Sequence, residues 1–170
     1  KHHTRPQFQR YAVNVIVGHE EKTTHAPVVR ESLPTLSNLI GRIEYVSQQG
    51  ALVTNFTMIR PGALHRANGG FLILDARQLL TEPFAWDALK RCVTTGEVKI
   101  FSAGERLSLI STLSLEPEPI PLDVRVVLVG DRTLYYLLYA LDPDFARLFK
   151  RSTGHAPHQF LIRRRVERAR

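Results

Sequence analysis

Asp75 and Asp131 are the residues best placed to do chemistry. Each stands directly beyond an apolar run of strand length: FLIL (71–74) leads into Asp75, and VRVVLVG (124–130) into Asp131. Ligands of layered α/β sheets gather at the carboxyl ends of parallel strands. Two acids at two such ends are therefore a candidate ligand site. A second role fits the same residues. Asp is a favoured helix N-cap, and a helical pattern follows each acid, DARQLL after one and RTLYYLLYAL after the other. The Gly69-Gly70 lead-in and the second strand-end acid favour the ligand site for Asp75. For Asp131 both readings stand.

The surrounding pattern is strand, helix, strand, helix. RYAVNVIVG (10–18) alternates and is rich in Val and Ile, which predicts a strand ended by Gly18. HEEKTTHAPVVRESLPT (19–35) is polar and contains Pro, so it reads as a loop. Asn38–Arg42 begins a short element. RIEYV and NFTMI flank SQQGAL, which predicts a β-hairpin or a pair of loops. A short helix is expected over Ala63–Ala67. PFAWDALKRCVTTG predicts a helix with Pro83 in its first turn and Gly96 as its C-terminal cap. EVKIF (97–101) and RLSLISTLSL (106–115) read as strands, and EPEPIP as an extended rigid link. DPDFARLFK predicts another short helix from Asp142-Pro143. Apolar strands alternating with helices predict an α/β layered fold.

Composition narrows the class. The chain has 170 residues, 44% hydrophobic and 23% charged, as an ordinary globular domain has. No run approaches the ~18 residues that span a membrane, and no secretory leader is visible. Cys92 is the only cysteine, so no internal disulfide can form, which fits the cytoplasm. Lys1 opens the chain and Met58 is its only methionine, so it reads as a piece of a longer one. Of the net charge of +7, residues 151–170 carry +5 through six Arg and one Glu. The rest is close to neutral, which argues against nucleic acid as the partner. Residues 151–170 form a basic tail, a helix or a mis-joined segment.

PGALHRANGGFLILDA resembles the Walker B region of AAA+ ATPases, and most of all that of Lon-like ATP-dependent proteases of the bacterial and archaeal branches. PEPIPLDVRVVLVGD looks like their approach to the sensor 1 strand, and WDALKRCVTTGEVKI like the helix and turn between the two. NLIGRIEY and TNFTMIRPG resemble the insert ahead of Walker B. The resemblance covers about residues 10–150. It implies an incomplete three-layer αβα AAA+ core, P-loop NTPase-like, with a parallel sheet and a β-hairpin insert. It further implies ATP and Mg2+ as cofactors, and Asp75 as the aspartate of the Mg2+ shell, since Mg2+ takes one or two protein carboxylates. Asp131 would be the sensor 1 residue near the γ-phosphate, a place where an unpaired acid would repel phosphate. Arg147 and Lys150 are candidates for a cation acting on a neighbouring subunit's nucleotide. The hairpin Gly41–Ile59 is a candidate substrate-facing loop, with Tyr45 and Phe56 as gripping aromatics, or else two rings packed on the sheet. The family assembles homo-oligomeric rings, typically hexameric, that feed unfolded proteins to a serine endopeptidase; no membrane is involved.

Three departures matter. No G-x-x-x-x-G-K-S/T loop occurs in this chain. Neither does the Ser-Lys protease dyad, since Ser102, Ser152 and Lys90 stand in other contexts, so no proteolytic catalytic residue is assigned. In nucleotide hydrolases a second acid follows the Walker B Asp; here Ala76 does, and Glu44 or Glu82 would have to supply the base. Ala76 therefore keeps a second function open, a non-hydrolysing scaffold that builds the ring and gates the chamber. An AAA+ transcription activator or remodelling motor is a third. His65 has no ligand-spaced His or Cys and reads as packed or solvent-facing. Cys92 reads as a buried inert thiol, and Tyr135, Tyr136 and Tyr139 as packing residues.

Overall fold

Three short parallel strands carry the candidate site in the computed structural model, which describes residues 11–18, 24–49, 51–100 and 115–168. They are β1 (Val28–Glu31), β6 (Phe71–Asp75) and β9 (Arg125–Val129), in the order β1-β6-β9. Val28 pairs with Phe71 and Phe71 with Arg125, and the last β6–β9 pair is Asp75 with Val129. The central strand is thus bonded on both edges, as its FLIL run requires.

Entry into β6 is tight. Phe71 N–H donates to the Pro27 carbonyl, Arg125 N–H donates to that of Gly70, and a Cβ on Gly70 would lie 2.0 Å from the Pro27 oxygen. Only glycine fits there. Gly69 holds φ +79°, where glycine meets no Cβ penalty. The glycine pair therefore opens β6, at the end away from Asp75, and says nothing about a ligand.

Helices α1 (Leu36–Ile40), α2 (Ala63–Arg66), α3 (Ala76–Thr81) and α4 (Ala85–Thr95) pack on one face of the sheet. Leu39, Leu64, Leu72, Leu74 and Leu79 are fully buried between these layers. Truncation of such a leucine to Ala costs about 2–5 kcal/mol. Three further helices follow β9: α5 (Arg132–Leu141), α6 (Pro143–Thr153) and α7 (Pro157–Arg168). The alternate sheet positions Val28, Val127 and Val129 are exposed. The described residues thus supply the sheet and one helical layer of the expected α/β core.

The insert folds as two nested antiparallel pairs. The outer is β2 (Arg42–Ile43) with β5 (Ile59–Arg60), and the inner is β3 (Val46–Gln48) with β4 (Ala51–Val53). A 3-10 turn at Phe56–Met58 occupies much of what reads as strand in NFTMI. β7 (Glu97–Val98) and β8 (Ile120–Pro121) form one more antiparallel pair. The expected strand over 106–115 lies almost wholly outside the described residues.

Two expectations fail. Residues 11–18 form no strand: Val13 and Val15 are exposed, and alternation alone makes no strand without a partner. Conversely, the expected loop 19–35 contains β1, which pairs with β6. Other boundaries stand close to expectation. Gly96 caps α4 at φ +71°, although the helix begins at Ala85, behind Phe84 in the left-handed region. α6 runs on to Thr153, past residue 151 where the basic tail was expected to begin, and the tail itself is largely helical.

Candidate functional site

Asp75 ends β6, and Asp131 stands two residues beyond the end of β9. Because β6 and β9 are adjacent and parallel, both carboxylates come to the same edge of the sheet. Each caps the helix that follows. Asp75 Oδ1 accepts from Gln78 N–H at 2.9 Å, and Asp131 Oδ1 accepts from Leu134 N–H at 2.9 Å. The capping and ligand-site readings thus do not compete, because a cap uses one oxygen. Asp75 Oδ2 makes no hydrogen bond or ion pair among the described residues. Asp131 Oδ2 accepts from Arg77 Nη2 at 2.9 Å. The Leu134 N–H lowers the Asp131 carboxyl most; desolvation opposes it, and with the help of Arg77 the group stays below its ordinary value.

Arg77 is the residue that sequence reasoning missed. It lies in the first turn of α3, two residues after Asp75, and reaches across to the end of β9. It answers the concern that an acid at position 131 would stand unpaired. The only signal in the sequence was a cation just after a strand-end acid, which is common.

Ala76 is only 4% exposed and lies against Gly130. Neither acid considered as a replacement base reaches this edge. Glu82 caps the far end of α3. Glu44 sits in the hairpin insert, bound to Arg42 at 2.9 Å and Arg60 at 2.8 Å.

Among the described residues no cluster of three or more His, Cys, Asp or Glu could hold a metal ion. An ion at Asp75 would therefore take most of its ligands from water or from a bound anion. That is ordinary for Mg2+, and the unpartnered Oδ2 of Asp75 fits it. Ala76, Gly130 and Asp131 also line one end of a cavity of about 530 Å³, which continues between β9 and α4–α6 past Trp86, Leu138 and Phe149.

The remaining candidates scatter. Arg147 is paired with Asp144 at 2.9 Å within α6, and Lys150 is exposed on the same helix. Tyr45 packs beside the small cluster of Ile43, Ile59 and Ile100, while Phe56 is exposed in the 3-10 turn. The exposed large apolar side chains of the inner hairpin are Val46, Leu52 and Val53. Cys92 is buried, which pushes its thiol up. His65 is 2% exposed; its Nδ1 accepts from Gly62 N–H at 3.2 Å, its Nε2 has no partner among the described residues, and burial pushes it down to about 4.

Comparison with known proteins bears on the family of the chain. The sequence model of the family described as "LonB-like, AAA domain" matches residues 24–154. The Escherichia coli protein named "Putative Lon protease homolog" is 27% identical over 140 residues, 77% of this chain and 22% of its own. A Haemophilus influenzae protein of the same name is 34% identical over 84 residues, 49% of this chain and 13% of its own. The chain thus spans less than a quarter of either relative. A solved structure, NtrX from Brucella abortus, superposes with a TM-score of 0.44 at 18% identity, over 72% of this chain and 25% of its own, which is too distant to carry an argument. A family match over more than half its length settles the identity at that level: the chain belongs to the LonB-like AAA domain family.

Proposed function

We propose that this chain is the Walker B to sensor 1 part of an ATP-driven module in a Lon-like serine endopeptidase. In this reading ATP and Mg2+ bind at the edge where β6 and β9 end. Asp75 Oδ2 would face the Mg2+ shell, and Mg2+ would supply charge neutralisation for the phosphates. Asp131 would stand near the terminal phosphate. The observation that carries the reading is the placement of Asp75 and Asp131 at the carboxyl ends of two adjacent parallel strands, the expected ligand position in such sheets.

The module would assemble as a ring, taken as hexameric, in the cytoplasm. It would couple ATP binding and hydrolysis to unfolding protein substrates and delivering them to the protease. The P-loop and the protease dyad would come from other parts of the parent protein. Arg147 or Lys150 would serve as the cation toward a neighbouring subunit. The hairpin would face the substrate through the exposed Phe56 and the aliphatic Val46, Leu52 and Val53 rather than Tyr45. In the full-length protein, Asp75→Asn keeps the helix cap but weakens the Mg2+ ligand. ATPase rate and ATP-dependent degradation of an unfolded protein should both fall at least tenfold.

One observation favours the scaffold reading beside it. Ala76 occupies the place of the usual general base, and neither Glu44 nor Glu82 reaches this edge to replace it. A full-length protein that binds MgATP, assembles, and shows no turnover would favour the scaffold.

A further inference from the structure

The ion pair between Arg77 and Asp131 joins the first turn of α3 to the far side of the β6–β9 edge. Its two halves are held very differently. Asp131, just beyond the end of β9, is fixed by the cap bond to Leu134 N–H. Arg77 is 73% exposed along its side chain, and among the described residues its guanidinium makes one bond, to Asp131, whose side chain is 45% exposed. Exposed pairs of this kind contribute little to stability. The pair is therefore a poor clamp and an easy contact to exchange. A phosphate would compete well for the guanidinium, because its oxygens match the Arg fork and carry more charge than one carboxylate.

We propose that Arg77 is an exchangeable phosphate sensor: it pairs with Asp131 while the edge is empty and moves to the terminal phosphate when a nucleoside triphosphate binds. The inference rests on the nucleotide reading of this edge. It gives Asp131 a defined part, that of the competitor that holds Arg77 back. A diphosphate lacks the terminal group and leaves the pair closed, so the two nucleotides produce different surfaces at the end of β9. No atom of the exchange needs the missing second acid, so it operates whether or not the protein hydrolyses ATP.

The test uses the full-length protein with fluorescent analogues of ATP and ADP in Mg2+. Arg77→Ala should weaken MgATP about tenfold, as loss of one charge-assisted phosphate contact does, and change MgADP less than twofold. Asp131→Asn keeps the cap and removes the competitor, so MgATP should tighten about two- to fivefold. Arg77→Lys should fall between Ala and wild type. If Arg77→Ala and Asp131→Asn weaken MgATP alike, the pair is a static clamp and the proposal is overturned. The same holds if Arg77→Ala weakens both nucleotides equally. Suppose instead that Asp75→Asn leaves Mg2+-dependent binding unchanged while the other two variants still move in opposite directions. The Mg2+ role of Asp75 then fails and the exchange stands. A wild-type protein that binds neither nucleotide overturns both.

Discussion

The Ala76 methyl lies so close to Gly130 that a Cβ on Gly130 would stand 3.0 Å from it. Position 76 is thus a packing position at the seam between α3 and β9, not a vacant place for a second acid. Gly130→Ala should overpack this seam and cost about 1–3 kcal/mol. Ala76→Gly in the same chain should recover part of that, giving a favourable coupling in a double-mutant cycle by urea denaturation. Ala76→Glu should destabilise by about 2 kcal/mol or more, through burial of a carboxylate, and add no ATPase activity to the parent. Additive effects of the two small substitutions would refute the packing account.

The two adjacent glycines before β6 should behave differently. Gly70→Ala drives a Cβ to 2.0 Å from the Pro27 carbonyl oxygen, against backbone that cannot swing aside. It should cost more than about 3 kcal/mol and detach β1 from β6, which hydrogen exchange would read as lost protection at Phe71. Gly69→Ala meets no neighbour within 4 Å and suffers only its φ of +79°. It should cost about 1–2 kcal/mol. Equal losses at the two positions would contradict this geometry.

What the residues reveal in advance depends on whether the cause is local. The runs Phe71–Leu74 and Val126–Val129 are apolar enough to be read as core strands, and Asp75, Asp131, Gly96 and Pro143 mark helix ends by their own chemistry. β1 is four residues, Val-Val-Arg-Glu, and is a strand because β6 lies beside it. The Val13 and Val15 alternation misleads for the converse reason. Arg77 becomes a site residue only when the fold brings it to Asp131, 54 positions away. The sequence leaves Tyr45 open between a substrate-facing and a packed ring, and the packing beside Ile43, Ile59 and Ile100 emerges only in the fold.

His65 should make the chain acid-sensitive. Its folded pKa, pushed down to about 4 by burial, lies below its ordinary value of 6.5. The unfolded chain therefore takes up a proton that the folded chain refuses. Stability is fully present above about pH 6.5 and falls as the pH drops toward about 4, by about 1.4 kcal/mol per unit. Urea denaturation at pH 7.5 and 5.5 should show the loss, and His65→Gln should flatten it. A slope unchanged in that variant would assign the acid sensitivity elsewhere.

Asp142 fastens α4 to the α5–α6 corner with three bonds. Oδ2 accepts from Trp86 Nε1 at 2.7 Å and from Lys90 Nζ at 2.9 Å, and Oδ1 accepts from Phe145 N–H at 3.0 Å. Both charged side chains are only 16% exposed. Burial pushes the carboxyl up, but Lys90, the Phe145 N–H and Trp86 outweigh it, so Asp142 sits below its ordinary value. Lys90 is likewise pushed down by burial, but Asp142 and Asp87 outweigh this and leave it raised. The signs follow. The Asp142 contribution is present above about pH 4 and is lost as the pH falls through its lowered folded value. The Lys90 contribution is present below about pH 10 and is lost as the pH rises through its raised folded value. Asp142→Asn keeps the cap and an acceptor for Trp86 but strands the Lys90 charge. It should cost about 2 kcal/mol at pH 7, less than for a fully buried pair because Asp87 remains 3.3 Å from Lys90. It should also move the alkaline unfolding limb to lower pH. If Asp142→Asn were neutral at pH 7 while Asp142→Ala cost about 1 kcal/mol, the aspartate would be acting only as a cap.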